Sequence, residues 1–348
     1  MPKLTEDSSD MDIFDPVIKE IREILPSLPL FENEPMAKHS SFKIGGPARA
    51  FAVPEDITAF SRITHILKKH KLMPFITGNC TNILFPDEGL KELFIISTER
   101  MNRMFLLPDG SIYAEAGVSL SKLSSFACQN SLTGLEFASG IPGTVGGGIL
   151  MNAGAYGGEM KDVVESVVIY YLPEQKIYET LEENCGFGYR KSAFQTIAGC
   201  AIVSAVFRLE RGNKEAIAAK MKELNEKRRD KQPLDLPSAG SAFKRPEGNF
   251  AAKLIEECGL KGYAVGGAMV SDKHAGFVVN TGNACSHDVY DLMMHVRNTV
   301  WQQKGVELVP EIIILPPDYK LSDNTPDAPL HVISGGAASD VTDFKEQN

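Results

Sequence analysis

The chain lacks the usual cysteine signatures. Its six cysteines stand apart at positions 80, 128, 185, 200, 258 and 285 of 348 residues, with no CxxC pair among them. That spacing excludes zinc-ribbon and thioredoxin-type patterns and reads as free thiols in a reducing compartment. No clustered ligand pattern supports a metalloenzyme, and no metal is expected. No apolar run reaches the ~20 residues a bilayer span requires, and no signal peptide is read, so a soluble cytoplasmic protein is expected. The chain has no GxxxxGK[ST], which sets aside P-loop phosphoryl transfer. It also has no GxGxxG between a first strand and helix with an acidic residue about 20 positions on, which sets aside the usual dinucleotide fingerprint. Positive charge is in deficit: 36 Lys and Arg against 45 Asp and Glu give a formal net charge of -9. This disfavours a general nucleic-acid binder while leaving room for a local basic pocket.

Glycine, by contrast, is concentrated. Residues 136–159, EFASGIPGTVGGGILMNAGAYGGE, hold eight glycines and three alanines. Each glycine inside a helix or strand costs about 0.5–1 kcal/mol relative to alanine, so this composition does not suit a regular core element. It suits a backbone that closely approaches a large nucleotide cofactor with its amides free to donate; a glycine-rich turn system crossing a core is the plain alternative. Two further turns, KIGG at 43–46 and ITGNCTN at 76–82, share the character. In the second, the amides and the side chains of Thr81 and Asn82 are placed to wrap a diphosphate, although Asn82 can equally cap a local turn.

Around these turns the text alternates between strand and helix. Helices are expected at 14–24, 54–70 (with Phe60, Ile63 and Leu67 on one face), 119–128, 214–229, 253–258 and 288–303. Strands are expected at 39–46, 48–53, 72–76, 93–97, 111–114, 163–171, 175–179, 201–210, 275–280 and 306–315, the last broken at Pro310. A charged helix and the proline-stiffened DKQPLDLPSAGS mark a change of character near 212. The expected domains are an N-terminal extension (1–38), a cofactor part (39–211), a smaller α+β part (212–316) and a loosely ordered tail (317–348).

The segments HSSFKIGGPARAF, ITGNCTNILF, the glycine signature, FGYRKSAF, PSAGSAFKRPEG, AAKLIEECGLKGYAVGGAMVSDKHAGFVVN and VPE occur in order from about His39 to Leu315. Together they resemble the flavin-dependent UDP-N-acetylenolpyruvoylglucosamine reductase family of cell-wall synthesis, in its shorter branch without a tyrosine-bearing insertion. The resemblance implies an α+β fold: a two-part FAD-binding fold of the vanillyl-alcohol oxidase type, followed by a substrate-binding domain. It implies non-covalent FAD, NADPH as hydride donor, and reduction of UDP-N-acetylglucosamine enolpyruvate to UDP-N-acetylmuramate for peptidoglycan synthesis, cell shape and division. No nucleic-acid or membrane partner is expected, and the protein is expected to be a monomer or weak homodimer.

By the same resemblance, Ser241 is the proton donor to C2, Arg190 holds the substrate carboxylate with its planar fork, and Glu311 is a supporting acid or orienting group. From the residues alone, these three also read as a turn serine, a surface ion pair and a strand-end carboxylate. The implied cofactor-binding residues are Gly78, Asn79, Cys80, Thr81, Asn82, Ser139, Gly140, Pro142, Gly143, Thr144, Gly146, Gly147, Asn152, Gly154 and Ala155. The implied substrate-binding residues are Tyr189, Arg229, Lys244, Arg245 and Lys273, with Tyr189 also open to a packing role. Arg228 belongs to the same basic text, which is placed to meet a sugar-nucleotide diphosphate.

Three positions depart from the family pattern. Cys80 stands for a glycine of the phosphate loop, Lys191 for an aspartate, and Met269 for a glutamine. Cys80 carries a Cβ, which makes a left-handed backbone less comfortable there. The rival readings are another FAD oxidoreductase of the same fold, which leaves AGSAF and KHAGF unexplained, and a noncatalytic flavin or UDP-sugar binder.

Overall fold

The computed structural model describes residues 12–316, 318 and 319, and the short strand Lys345–Glu346. Most of the expected N-terminal fraying and C-terminal tail therefore lies outside the described residues.

Helix α1 (Phe14–Ile24) buries Phe14, Val17, Ile18 and Ile21 against helix α2 (Ile57–Lys69), which contributes Phe60, Ile63 and Leu67 to the same core. Helix α2 starts later than the sequence suggests. Asp56 caps it by accepting from the Ala59 amide at 2.8 Å, and Pro54 lies outside. Both helices cover a sheet in the order 30–35, 47–52, 90–97 and 75–77. Its first pair is antiparallel and the other two are parallel.

A larger antiparallel sheet follows, in which 104–106, 112–115, 200–207, 164–171 and 176–181 lie side by side, with 345–346 beyond the last. Ile112, Val167, Ile169, Ala205 and Phe207 from this sheet meet Leu120 and Leu123 of helix α3 (Leu120–Gln129) and Val145 and Ile149 of helix α4 (Val145–Leu150). The two sheets form the two parts of the cofactor lobe. Helix α4 is a correction to the sequence reading, because the glycine segment does contain a helix. Its glycines are needed for close packing: a Cβ at Gly148 would lie 3.2 Å from Leu120, and one at Gly146 would lie 3.0 Å from Ala116.

Helix α5 (Lys214–Lys231) lies along the cofactor lobe. The Cys128 thiol faces the Lys214 carbonyl at 3.7 Å, and Ser139 Oγ meets Asn225 Oδ1 at 3.4 Å. The remaining lobe packs helices α6 (Ala251–Glu257) and α7 (Ser286–Lys304) on a sheet of 264–265, 268–270 and 278–280. Phe42 and Ile44, from far upstream, complete its core.

Two expected strands are not formed as read. Residues 39–46 are irregular, and the KIGG glycines let two loops touch. Cβ atoms would come within 2.6 Å of Phe85 at Gly45 and 2.1 Å of the Asp87 carbonyl at Gly46. The strand at 306–315 contracts to Ile313–Ile314, paired in parallel with Ile83–Leu84. Upstream of it, Lys244 N donates to Val309 O and Glu311 N to Ala242 O, so this stretch runs beside the AGSAF segment instead.

Candidate active site

Those two backbone bonds decide where the reactive candidates stand. Glu311 N bonds Ala242 O at 2.9 Å, and Ala242 N bonds Gly276 O at 2.8 Å, so Ser241 is held between the VPE and KHAGF segments. Asn82 joins from the GNCTN turn: its Nδ2 donates to Glu311 O at 3.0 Å, and its carbonyl accepts Ile313 N at 2.9 Å. Ser241 is exposed. Segments more than 150 residues apart thereby share one small clamp.

Arg190 reaches the clamp from the opposite lobe. Its Nε donates to Glu311 Oε1 at 2.6 Å and its Nη2 to Gly154 O at 3.0 Å. The described hydrogen bonds leave Nη1, so the fork expected to take a carboxylate is already half engaged. Arg190 has φ +52, a left-handed conformation that a non-glycine residue adopts at some cost, as suits a side chain aimed by its surroundings. Burial pushes the Glu311 carboxyl above its ordinary 4.5, and the Arg190 and Lys244 charges pull it partly back. Desolvation outweighs two cations here, which favours a protonated fraction.

The GNCTN turn is built to receive acceptors. The amides of Asn79, Cys80, Thr81 and Asn82 donate to no protein group among the described hydrogen bonds. A Cβ on Gly78 would lie 2.4 Å from Thr144 Oγ1, and one on Gly143 would lie 3.3 Å from Thr81 Oγ1, so the two glycine turns face at contact distance. Thr81 Oγ1 also donates to Pro142 O at 3.4 Å. Cys80 adopts φ +48 despite its Cβ, its sulfur turned inward toward Gly78 O, and burial pushes the thiol up to about 12. It is an inert packing group.

Other candidates have partners of their own. The amides of Val145 and Gly146 are taken by the carbonyls of Val118 and Ala116, so Gly146 offers space and no donor. Thr144 accepts from Gly147 N at 3.4 Å and caps α4. Asn152 is fully buried: its Nδ2 donates to Glu159 and to Gly188 O, and its Oδ1 accepts Lys161 N. Its side chain thus braces the loop that carries Tyr189 and Arg190. Ala155 and Gly154 pair with Gly158 and Glu159 in a small hairpin.

Among the residues expected to bind substrate, the Tyr189 ring lies 5.2 Å from the Arg190 guanidinium, and the Tyr189 hydroxyl accepts Arg245 N at 3.1 Å across the two lobes. The Arg245 guanidinium itself stacks on Phe250 at 4.0 Å. Arg229 and Lys273 meet each other, Lys273 Nζ donating to the Arg229 carbonyl at 2.6 Å.

The sequence groups Arg228 with the basic text expected to face the sugar nucleotide; the structure places it against the glycine segment. It is only 8% exposed, and its Nη1 would lie 3.2 Å from a Cβ on Gly140. Its Nε and Nη1 have no hydrogen-bond partner among the described residues. Burial lowers its pKa, although the side chain keeps its charge. Tyr156 hydrogen-bonds the guanidinium, whose carbon lies 5.9 Å from the Tyr156 ring, but no carboxylate pairs with it among the described ion pairs; a buried cation without a counter-charge points to an anionic group at this position. A signal was present in the sequence, since Arg228 shares the α5 face of Ile217 and Leu224.

Residues 232–315 match the family described as UDP-N-acetylenolpyruvoylglucosamine reductase, C-terminal domain, and residues 48–180 match the FAD binding domain family. A UDP-N-acetylenolpyruvoylglucosamine reductase of Caldanaerobacter subterraneus subsp. tengcongensis is 48% identical over 300 residues, covering 86% of this chain and 98% of that protein. The enzyme of the same name from Syntrophomonas wolfei is 44% identical over 296 residues, covering 85% and 98%. Among solved structures, UDP-N-acetylenolpyruvylglucosamine reductase (MurB) from Thermus caldophilus superposes with a TM-score of 0.70 at 33% identity, covering 83% of this chain and all of that one.

Proposed function

The chain belongs to the UDP-N-acetylenolpyruvoylglucosamine reductase family, and on that premise we propose how its residues divide the work. The protein is an FAD-dependent oxidoreductase that reduces UDP-N-acetylglucosamine enolpyruvate to UDP-N-acetylmuramate with NADPH, a step of peptidoglycan synthesis. Bound FAD would supply the two-electron chemistry, hydride transfer from NADPH to C3 of the enolpyruvyl group.

The chain's residues fit that cofactor. The unengaged amides of 79–82, the contact of the two glycine turns and the free Nε and Nη1 of the buried Arg228 together suit a dinucleotide diphosphate. Arg228 is its counter-charge, and Asn82 connects the phosphate turn to Glu311.

Ser241 gives its proton to C2 of the enolpyruvyl group. A hydroxyl is a weak acid, so it works only when held still and when the charge that develops on the carboxylate side is stabilised. Arg190 stabilises that charge through Nη1, while Glu311 fixes the guanidinium through Nε. Burial raises the Glu311 pKa and the Arg190 and Lys244 charges oppose that rise, so its charge is balanced within the clamp. Tyr189, Lys244 and Arg245 hold the sugar-nucleotide end. Arg229 and Lys273 form the outer basic edge, and the substrate part runs over 212–316 with α5 joining it to the cofactor part over 39–211. We take the protein to work in the cytoplasm, as a monomer or a weak homodimer.

The observation that carries this division of roles is the clamp in which Glu311 bonds Arg190, Asn82 and the residue after Ser241. An anaerobic absorbance experiment tests it. NADPH should bleach the flavin of the purified protein, and UDP-N-acetylglucosamine enolpyruvate should restore the colour in wild type but not in Ser241→Ala. Restoration at the wild-type rate in the variant overturns the role given to Ser241.

A further inference from the structure

Away from the clamp, Asp87, Cys285 and His287 each present one ligand atom, and the three atoms lie within 4.8 Å of one another. Asp87 belongs to the loop before strand 90–97 in the cofactor lobe, whereas Cys285 and His287 flank the first residue of α7 in the other lobe. The residue between them fixes the arrangement: Ser286 N and Oγ donate to Asp87 Oδ2, and Asp87 N donates to Ser286 Oγ at 3.2 Å. This bond set holds the carboxylate across the lobe boundary and puts a thiol and an imidazole on either side of it. Glu88 lies outside this cluster and approaches His287 Nδ1 at 3.8 Å, which adds negative charge beside the imidazole.

We propose that Asp87, Cys285 and His287, with a water molecule as the fourth ligand, form a binding site for a borderline divalent cation of the zinc class that clips the two lobes together. A mixed thiolate, imidazole and carboxylate set suits zinc and disfavours magnesium or calcium, which take oxygen. In a tetrahedral zinc site, metal–ligand distances of about 2.0–2.3 Å place the donors about 3.3–3.8 Å apart. Closing from 4.8 Å therefore needs only side-chain rotation, which the exposed Asp87 and His287 permit. The start of α7 repels a cation. Asp87, Glu88 and Asp288 set three carboxylates against that, with no lysine or arginine in the described ion pairs of these groups. Binding exchanges the Cys285 thiol proton for the metal: the S–H bond breaks, a sulfur–metal bond forms, and the proton leaves to solvent. Without metal, Cys285 instead accepts the Asp288 amide at 3.4 Å as the cap of α7.

The test is titration of the reduced full-length protein with Co²⁺, read by the thiolate-to-cobalt charge-transfer band and the tetrahedral visible bands to the red of the flavin, followed by displacement with Zn²⁺. One cobalt per chain is expected. Cys285→Ser should abolish the thiolate band, His287→Ala should weaken binding at least tenfold, and Cys258→Ser should change neither. Serine caps helices well, so Cys285→Ser should keep its fold and its flavin spectrum. Zn²⁺ should raise the melting temperature of wild type and not of Cys285→Ser. The proposal is overturned if wild type gives no thiolate band, or if the band survives in Cys285→Ser. Neither result depends on turnover.

Discussion

Glu311 shows how one side chain carries opposing pressures. Burial raises its pKa above 4.5, while Arg190 and Lys244 lower it by less. The folded state therefore holds this proton more tightly than the unfolded chain does. The corresponding stability is fully present below pH 4.5 and is lost as pH rises through the folded-state value. Calorimetric melting temperatures of wild type should fall over that window, and Glu311→Gln should remove this part of the slope. An identical slope in the variant would assign the titration elsewhere. For Ser241→Ala, stopped-flow absorbance should show substrate-driven flavin reoxidation slowed about 10²–10⁴-fold, with reduction by NADPH unchanged. Equal slowing of both steps would mean that Ser241 shapes the pocket and is not the acid. Ser241, Arg190 and Glu311 could be singled out because they lie in distinctive motifs. That Arg190 Nε is already spent on Glu311 could not be read there, since the two residues are 121 positions apart.

Elements differ in how much of themselves they state locally. Helices α2 and α3 could be read from periodicity, because Phe60, Ile63 and Leu67, and likewise Leu120 and Leu123, repeat at the spacing of one buried face. The C-terminal strand could not, because backbone bonds from 242–244 claim residues 309–311 first. Local statements make local predictions. Asp56→Ala removes the α2 cap and should cost about 1 kcal/mol in urea unfolding while flavin content stays unchanged. Gly78→Ala acts between elements. Its Cβ would sit 2.4 Å from Thr144 Oγ1, so the glycine turns would be pushed apart. The variant should fold by circular dichroism and purify without flavin; full flavin occupancy would show that the turns have slack.

At the scale of the molecule, the lobes meet through long-range contacts that include Arg190 to Glu311, Asn82 to Glu311, Tyr189 to Arg245, Asp87 to Ser286, Asn280 Nδ2 to Phe42 O, and the pairing of Ile313–Ile314 with Ile83–Leu84. Helix α5 belongs to this scale because it carries Arg228 back to the glycine segment. Replacing that guanidinium with an apolar chain, Arg228→Met, should weaken FAD binding about 10- to 100-fold, as loss of a buried charged hydrogen-bond donor implies. Flavin fluorescence on titration of the apoprotein measures this. Arg245→Ala should leave FAD affinity unaltered and raise KM for the sugar nucleotide.

Sequence alone determined the family, the flavin cofactor and the two-part cofactor fold, because ordered motifs and local periodicity are properties of consecutive residues. Only the tertiary structure decided that Asn152 braces a loop, that Arg228 faces the glycine segment, and that Asp87 meets Cys285 and His287. Each of these depends on which distant backbone reaches a buried donor or acceptor first, and on the cost of leaving such a group unpaired.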